Sequence, residues 1–249
     1  MTGIRKVLNI FAFIAMVLMN ILSETLPING VTSGQVSDMY ASLFTPAGIT
    51  FAIWAVIYIM LGYFTLWQVL WAKSESVDRI GMTFVVSCAL NMAWLLLWHF
   101  KMIYLATAVI IALLFVLNKL KNIVAGENWL VKATFGTYLA WITVASIASV
   151  FIIAGQLFKN FAFSVLAQIL VWVVACAVVY LVYRRLKDAK DIAYALTMIW
   201  ALAGIGYKHI ASTGFAGAYM HIIVGIVLTI IAISLLIARR TTQGGVNYA

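Results

Sequence analysis

The stretch Leu43–Tyr63, LFTPAGITFAIWAVIYIMLGY, decides how this chain is read. It carries no charge, opens through a Pro46-Ala47-Gly48 turn and continues as an apolar run long enough to span a membrane as a helix. Within it Phe51, Trp54 and Tyr58 stand three and four residues apart, a spacing that places their rings on one helical face. Rings aligned in this way either pack against neighbouring helices or form the wall of a pocket for a flat apolar ligand.

The rest of the chain has the same character. Hydrophobic residues make up 65% of it and charged residues 9%, with a mean hydropathy of +1.09. A soluble domain of 249 residues has no interior large enough for that composition, whereas a helical bundle surrounded by lipid does. A spanning helix needs roughly 20 mostly apolar residues. Eight runs meet this demand, near 7–23, 46–72, 80–99, 102–118, 131–154, 161–183, 191–207 and 215–238. Arg5 and Lys6 precede the first run as they would in a signal peptide, but Ser23-Glu24-Thr25-Leu26-Pro27 offers no small-x-small cleavage site, so it reads as a retained helix.

The net charge of +9 is distributed as in a membrane protein, not as in a nucleic-acid binder. Of the 16 Lys and Arg, all but Lys101, Lys159 and Lys208 fall at the N-terminus, in alternate loops or just after the last apolar run. That pattern predicts eight spans with both termini cytoplasmic, because a seven-span count would put Arg239 and Arg240 outside. The 191–207 run, one of the three shortest and containing Gly204 and Gly206, is the weakest of the eight. Cys88 and Cys176 lie in separate runs without CxxC spacing and read as buried free thiols. The predicted fold is therefore an all-α polytopic integral membrane bundle in a cell (inner or plasma) membrane. A five-helix unit over 1–155 precedes a three-helix extension over 156–240 and a flexible polar tail over 241–249.

One long connection interrupts the short loops. Residues 23–45, SETLPINGVTSGQVSDMYASLFT, lie on the predicted outer side and contain Glu24 and Asp38 but no Lys or Arg. Pro27, Asn29-Gly30 and Gly34 supply turn chemistry. Apolar members such as Val31, Tyr40, Leu43 and Phe44 predict that the connection folds back over the bundle as a lid.

Two further runs present polar and aromatic groups on one face. Asn91, Trp94 and Trp98 do so in the third, and Tyr138, Trp141, Ala145 and Ser149 in the fifth. An amide at mid-membrane depth must find partners, so Asn91 either ties helices together or anchors a ligand. Trp98 and Trp71, near helix ends, suit interfacial belts, while Trp54, Trp94 and Trp141 sit deeper. Three of these segments carry a family resemblance. TPAGITFAIWAVIYIMLGY is similar to the second helix of the translocator or tryptophan-rich sensory protein (TspO/MBR) family, approximately PPxWxxxxxWxxLYxxMGY, with Pro46, Trp54, Tyr58, Gly62 and Tyr63 in register. ALNMAW, Ala89–Trp94, resembles that family's third-helix ALNxxW, and TYLAWITVAS, Thr137–Ser146, its fifth-helix PYLAWxxxAT.

The resemblance implies five helices around a pocket, capped by the loop after the first, that takes porphyrins, sterols and synthetic aromatic ligands. The residues it nominates to line the pocket are Trp54, Tyr58, Asn91, Trp94, Trp141, Ala145 and Ser146, to which the face spacing adds Phe51 and Tyr138. There are departures. The family's Trp at the start of the second helix is Gly48, leaving Phe51 to take its place. The first proline of its pair is Thr45, its fifth-helix Asn is Ser149, and no Tyr-x-Arg/Lys sterol pattern follows.

Other readings are weaker. His99, His209 and His221 all fall toward the predicted outer side, where facing imidazoles would ligate haem or a divalent metal. The face Gly217, His221, Gly225 and Thr229 lets helices approach closely and permits the dimerisation seen in the family. No Asp, Glu, Lys or Arg sits mid-helix, which argues against an ion-coupled transporter. The chain has no phosphate loop, HExxH or paired carboxylates that would mark an enzyme. The sequence thus predicts a non-enzymatic membrane binder, sensor or carrier of a flat hydrophobic small molecule such as a tetrapyrrole. Its alternatives are a histidine-based haem or metal protein and a structural partner without a ligand.

Overall fold

A computed structural model describes residues 2–26, 28–40 and 42–245 of the chain. Pro27, a predicted turn residue, and the last four residues of the predicted tail lie outside the described residues. The long apolar runs form helices because a backbone in hydrocarbon must pair its own N–H and C=O groups. In order these are α1 (Thr2–Thr25), the short α2 (Ser33–Asp38), α3 (Ile53–Leu70), α4 (Ser74–His99), α5 (Ile103–Ile123), α6 (Trp129–Leu157), α7 (Val165–Ala189), α8 (Ile192–Ile210) and α9 (Met220–Gly245). The described residues contain no strand. The protein is a polytopic, all-helical integral membrane bundle.

Local chemistry sets the helix ends. Asn128 Oδ1 accepts from the N–H groups of Leu130 and Val131 at 3.0 Å, Ser164 Oγ from Ala167 at 3.1 Å and Asp191 Oδ1 from Tyr194 at 3.3 Å, opening α6, α7 and α8. Lys101 and Lys190 turn the chain after α4 and α7 in the left-handed region, at φ 59° and 52°. The helix containing the predicted 80–99 run begins earlier, at Ser74, and breaks at Gly81 (φ 47°, ψ −135°), a conformation that only glycine adopts without strain. The last helix runs beyond the predicted end at 238 to Gly245.

Helices α1, α4, α5, α6 and α3 pack in that order as a closed ring, each touching the next. Helices α7, α8 and α9 pack on one another and dock through α8 on α6. The central element is accordingly α6, with 67% of its span buried against 22% for the peripheral α1. One continuous apolar core runs through both groups of helices, from Met16 to Ile233.

Seven of the long helices are apolar and long enough to cross a membrane; α8 falls short of that standard. Its geometry nevertheless spans the bundle. Asp191 at its start pairs with Lys121 at the basic end, and His209 near its finish lies against Leu43 at the opposite end. Because α6, α7 and α9 cover much of α8, it faces less lipid and tolerates Thr197, Gly204 and Gly206, all buried. The basic end also holds the pairs Arg5–Asp78 and Arg79–Glu127.

One expectation needs correction. Cys88 is a buried free thiol as predicted, but Cys176 is exposed on the outer face of α7. The small-residue face of α9 is partly used within the chain, since a Cβ on Gly225 would meet the Trp172 ring of α7 at 2.9–3.1 Å. At the break in α4, Gly81→Ala is expected to cost about 1–3 kcal/mol, the strain of forcing an L side chain into that backbone region. A lowered thermal unfolding temperature in detergent would register the loss.

Candidate ligand site beneath the outer roof

The predicted lid is an ordered roof. After α1 the chain makes a turn at Ile28–Gly30, with Asn29 and Gly30 both at positive φ, then forms α2 and the turn Gly48–Ala52 that leads into α3. A reciprocal capping box joins Thr32 and Gln35 at the start of α2. Val36, Leu43 and Phe44 are buried against the bundle, which is why this polar-looking segment stays folded. The two carboxylates of this segment are both engaged: Glu24 accepts from the Ser33 N–H at 3.1 Å, and Asp38 pairs with Lys208 at 2.8 Å.

Helix α8 holds the roof by four links. Lys208 donates to Asp38, the Ala47 N–H to the Gly204 carbonyl at 3.1 Å, and the Trp200 indole to the Thr50 carbonyl at 3.0 Å. His209 Nε2 lies 2.9 Å from the Leu43 carbonyl and must therefore carry the proton. Gly204 is needed here because a Cβ would overlap the Thr50 side chain.

Under the roof the predicted aromatic faces of α3, α4 and α6 converge. Trp54 stacks on Tyr58 (centroids 5.5 Å, 14°) and lies 6.0 Å from Trp94, 5.9 Å from Tyr138 and 6.4 Å from Trp141. Phe51 meets Trp141 edge-on at 5.6 Å, in the neighbourhood where the family pattern has its Trp and this chain has Gly48. Phe51, Trp94, Trp98 and Trp141 wall a cavity, with Pro46 in its roof and Ala145 in its floor. Its free space is about 30 Å³, room for a water or two. A second cleft of about 520 Å³ opens between α1 and α3, bounded by Asn20, Glu24, Gly48, Trp54 and Tyr58. Phe51 lines both spaces and separates them.

A string of hydrogen bonds lies below the rings. Asn20 donates to Asn91 Oδ1 at 3.0 Å, and the Asn91 amide donates to the Tyr138 hydroxyl at 3.0 Å, joining α1, α4 and α6. Further toward the basic end Phe64, Phe84 and Phe135 fill the ring, with Phe64 4.9 and 4.8 Å from the other two centroids.

The sequence model of the TSPO-like protein family matches residues 6–238. The chain belongs to the TSPO-like family. That match extends through the three C-terminal helices as well as the ring of five. No curated protein and no solved structure matches the chain.

In this TSPO-like chain the nominated residues divide among three places. Phe51, Trp94, Trp141 and Ala145 line the cavity; Trp54 and Tyr58 line the cleft with Phe51. Asn91 and Tyr138 lie in the hydrogen-bond string, and Ser146 is buried with its hydroxyl unpartnered. Trp98, read as an interfacial belt residue, is a correction: it is 4% exposed, stacks on Trp94 at 6.0 Å and donates to the Ser33 carbonyl at 3.1 Å. Its i, i+4 relation to Trp94 was the available signal, whereas roof residues such as Ser37 had none. Trp71 is exposed, as a belt residue would be.

The three histidines do not converge on one site, although His209 and His221 both lie beside Tyr219. Buried His99 places Nδ1 2.8 Å from the Leu95 carbonyl, buried His209 serves the roof, and His221 is exposed. Among the described residues no group of three or more His, Cys, Asp or Glu side chains is placed to hold a metal.

Asn91→Ala removes the bond that ties α1 to α4 and leaves the Tyr138 hydroxyl without its partner, while the Asn20 amide keeps only the Met16 carbonyl of its own helix, at a cost of about 1–2 kcal/mol. A lower unfolding temperature is therefore expected in purified protein. Gly204→Val should displace Thr50 and loosen the roof, detectable as faster protease cleavage between residues 28 and 50.

Proposed function

We propose that this TSPO-like membrane protein is a non-catalytic binder, acting as sensor or carrier, of a flat hydrophobic molecule of the porphyrin or tetrapyrrole class. The observation that carries the reading is the convergence of Phe51, Trp54, Trp94 and Trp141 from two sides on the space beneath the roof. Indole faces supply large apolar area and stack on a conjugated ring, and the buried, unpartnered Trp94 N–H and Tyr58 hydroxyl are available to polar edges of such a ligand. Small side chains at Gly48, Ala52, Ala55 and Ala145 leave room for a planar group beside them.

The closed cavity is too small for such a ligand, so binding requires a movement. Phe51 is the side chain whose rotation joins the cavity to the adjoining cleft. The roof, held by α8, then limits how far the site opens toward the outer end. Trp141 supplies the stacking face, Trp54 and Trp94 the side walls, and Asn91 acts indirectly by fixing α4 against α1 and α6.

Titration of protoporphyrin IX into detergent-purified protein, followed by tryptophan quenching, tests the proposal. Saturable quenching is expected, and Trp141→Ala should weaken binding by roughly 2 kcal/mol, about 30-fold. Phe51→Ala should raise the association rate by removing the partition. Non-saturating quenching, or affinity indifferent to Trp141, would remove the tetrapyrrole reading.

A further inference from the structure

At the basic end, far from the aromatic site, a cleft of about 490 Å³ lies between the α5–α6 connection and the start of α8. Lys121, Lys132, Lys190 and Asp191 face it, together with Trp129 and Leu196. Lys121, 5% exposed, spends its charge internally: its amine lies 2.7 Å from Asp191 Oδ2 and donates to the Lys132 carbonyl at 2.6 Å. Asp191 is in turn held in place, because it opens α8 and its carboxylate fits only where Gly136 lacks a side chain. The one carboxylate in the cleft is therefore neutralised. Lys132 and Lys190 have no ion-pair partner among the described residues, so the cleft carries two uncompensated positive charges.

The other wall is apolar and open to the surroundings. Trp129 is 73% exposed and Leu196 54%, and Leu196 lies one turn along α8 from Ile192, which also lines the cleft. A cationic recess at a helix end, continuous with an apolar surface running along a spanning helix, has the two-part chemistry of a phospholipid: phosphate at the mouth and acyl chain along the helix. A free phosphate would use the lysines but leave Trp129 and Leu196 without a role.

We infer that this cleft is a binding site for the phosphate headgroup of an anionic phospholipid, with Lys132 and Lys190 as the anion ligands, the Lys121–Asp191 pair as a fixed neutral floor, and Trp129 and Leu196 flanking the first acyl chain. The site is independent of the tetrapyrrole proposal.

Native mass spectrometry of delipidated protein, titrated with phosphatidylglycerol or phosphatidylcholine, tests it. Phosphatidylglycerol should bind more tightly, and Lys132→Gln/Lys190→Gln should weaken it about tenfold or more, given what each lysine near a headgroup contributes. Lys190→Glu alone, at an exposed side chain, should reproduce most of that loss. A matched pair, Lys187→Gln/Arg240→Gln, removes equal charge from the other basic recess between α7 and α9 and should change affinity less than threefold. Equal affinity for the two lipids, or equal loss from the two double variants, would overturn the site. Displacement of phosphatidylglycerol by millimolar inorganic phosphate would overturn its assignment to a lipid.

Discussion

Asn20, Asn91 and Tyr138 bond to one another in the part of the molecule where no solvent stands ready to replace a lost partner. In water such a string contributes little net free energy; in hydrocarbon Asn91 and Tyr138 depend on it to avoid an unpaired polar group, while Asn20 is held in addition by the Met16 carbonyl. The string fixes the azimuth of three helices at once. With Asn91 turned toward α1 and α6, Trp94 one turn further on must face the same interior, and Tyr138 sets Trp141 in the same way. The aromatic convergence is thus a geometric consequence of polar bonding beneath it. The phenylalanine cluster below the string has no such requirement and simply fills volume.

The C-terminal helices extend this logic outward. The ring of five is closed by its own contacts, and it holds only part of the roof, through Trp98 and Glu24 on Ser33. The roof's backbone at Leu43, Ala47 and Thr50 finds partners on α8 instead. That division explains why α8, alone among the long helices, falls short of the apolar standard for a span: it is covered by protein on several sides, and its last turn carries Lys208 and His209 to serve the roof.

The sequence made the helices legible because spanning length and backbone pairing are local demands, met or failed within each run. It also showed the aromatic faces, since i, i+3 and i, i+4 spacing places Phe51, Trp54, Tyr58, Trp94 and Trp141 without knowledge of their neighbours. What it left open depended on packing between distant segments. Trp98 looked like a belt residue because it stands near a helix end, and only the folded roof buries it. Asn91 was readable as polar and deep, but its partner Asn20 lies in a segment that otherwise reads as a plain apolar span. The 191–207 run read as weakest because it is short and carries Gly204 and Gly206, whereas the tolerance for those glycines comes from particular contacts such as Gly204 with Thr50.

The links between roof and α8 join positions 150, 166 and 170 residues apart along the chain. A membrane protein is made and inserted from its N-terminus, so the roof-forming segment emerges with its nearest bundle already present but its clamp still unmade. The ring of five is therefore complete in the chain before the clamp from α8 exists, with the roof held until then by its own packing and by the bonds of Ser33 to Trp98 and Glu24. The full set of contacts that closes the aromatic site exists only once α8 has joined the ring.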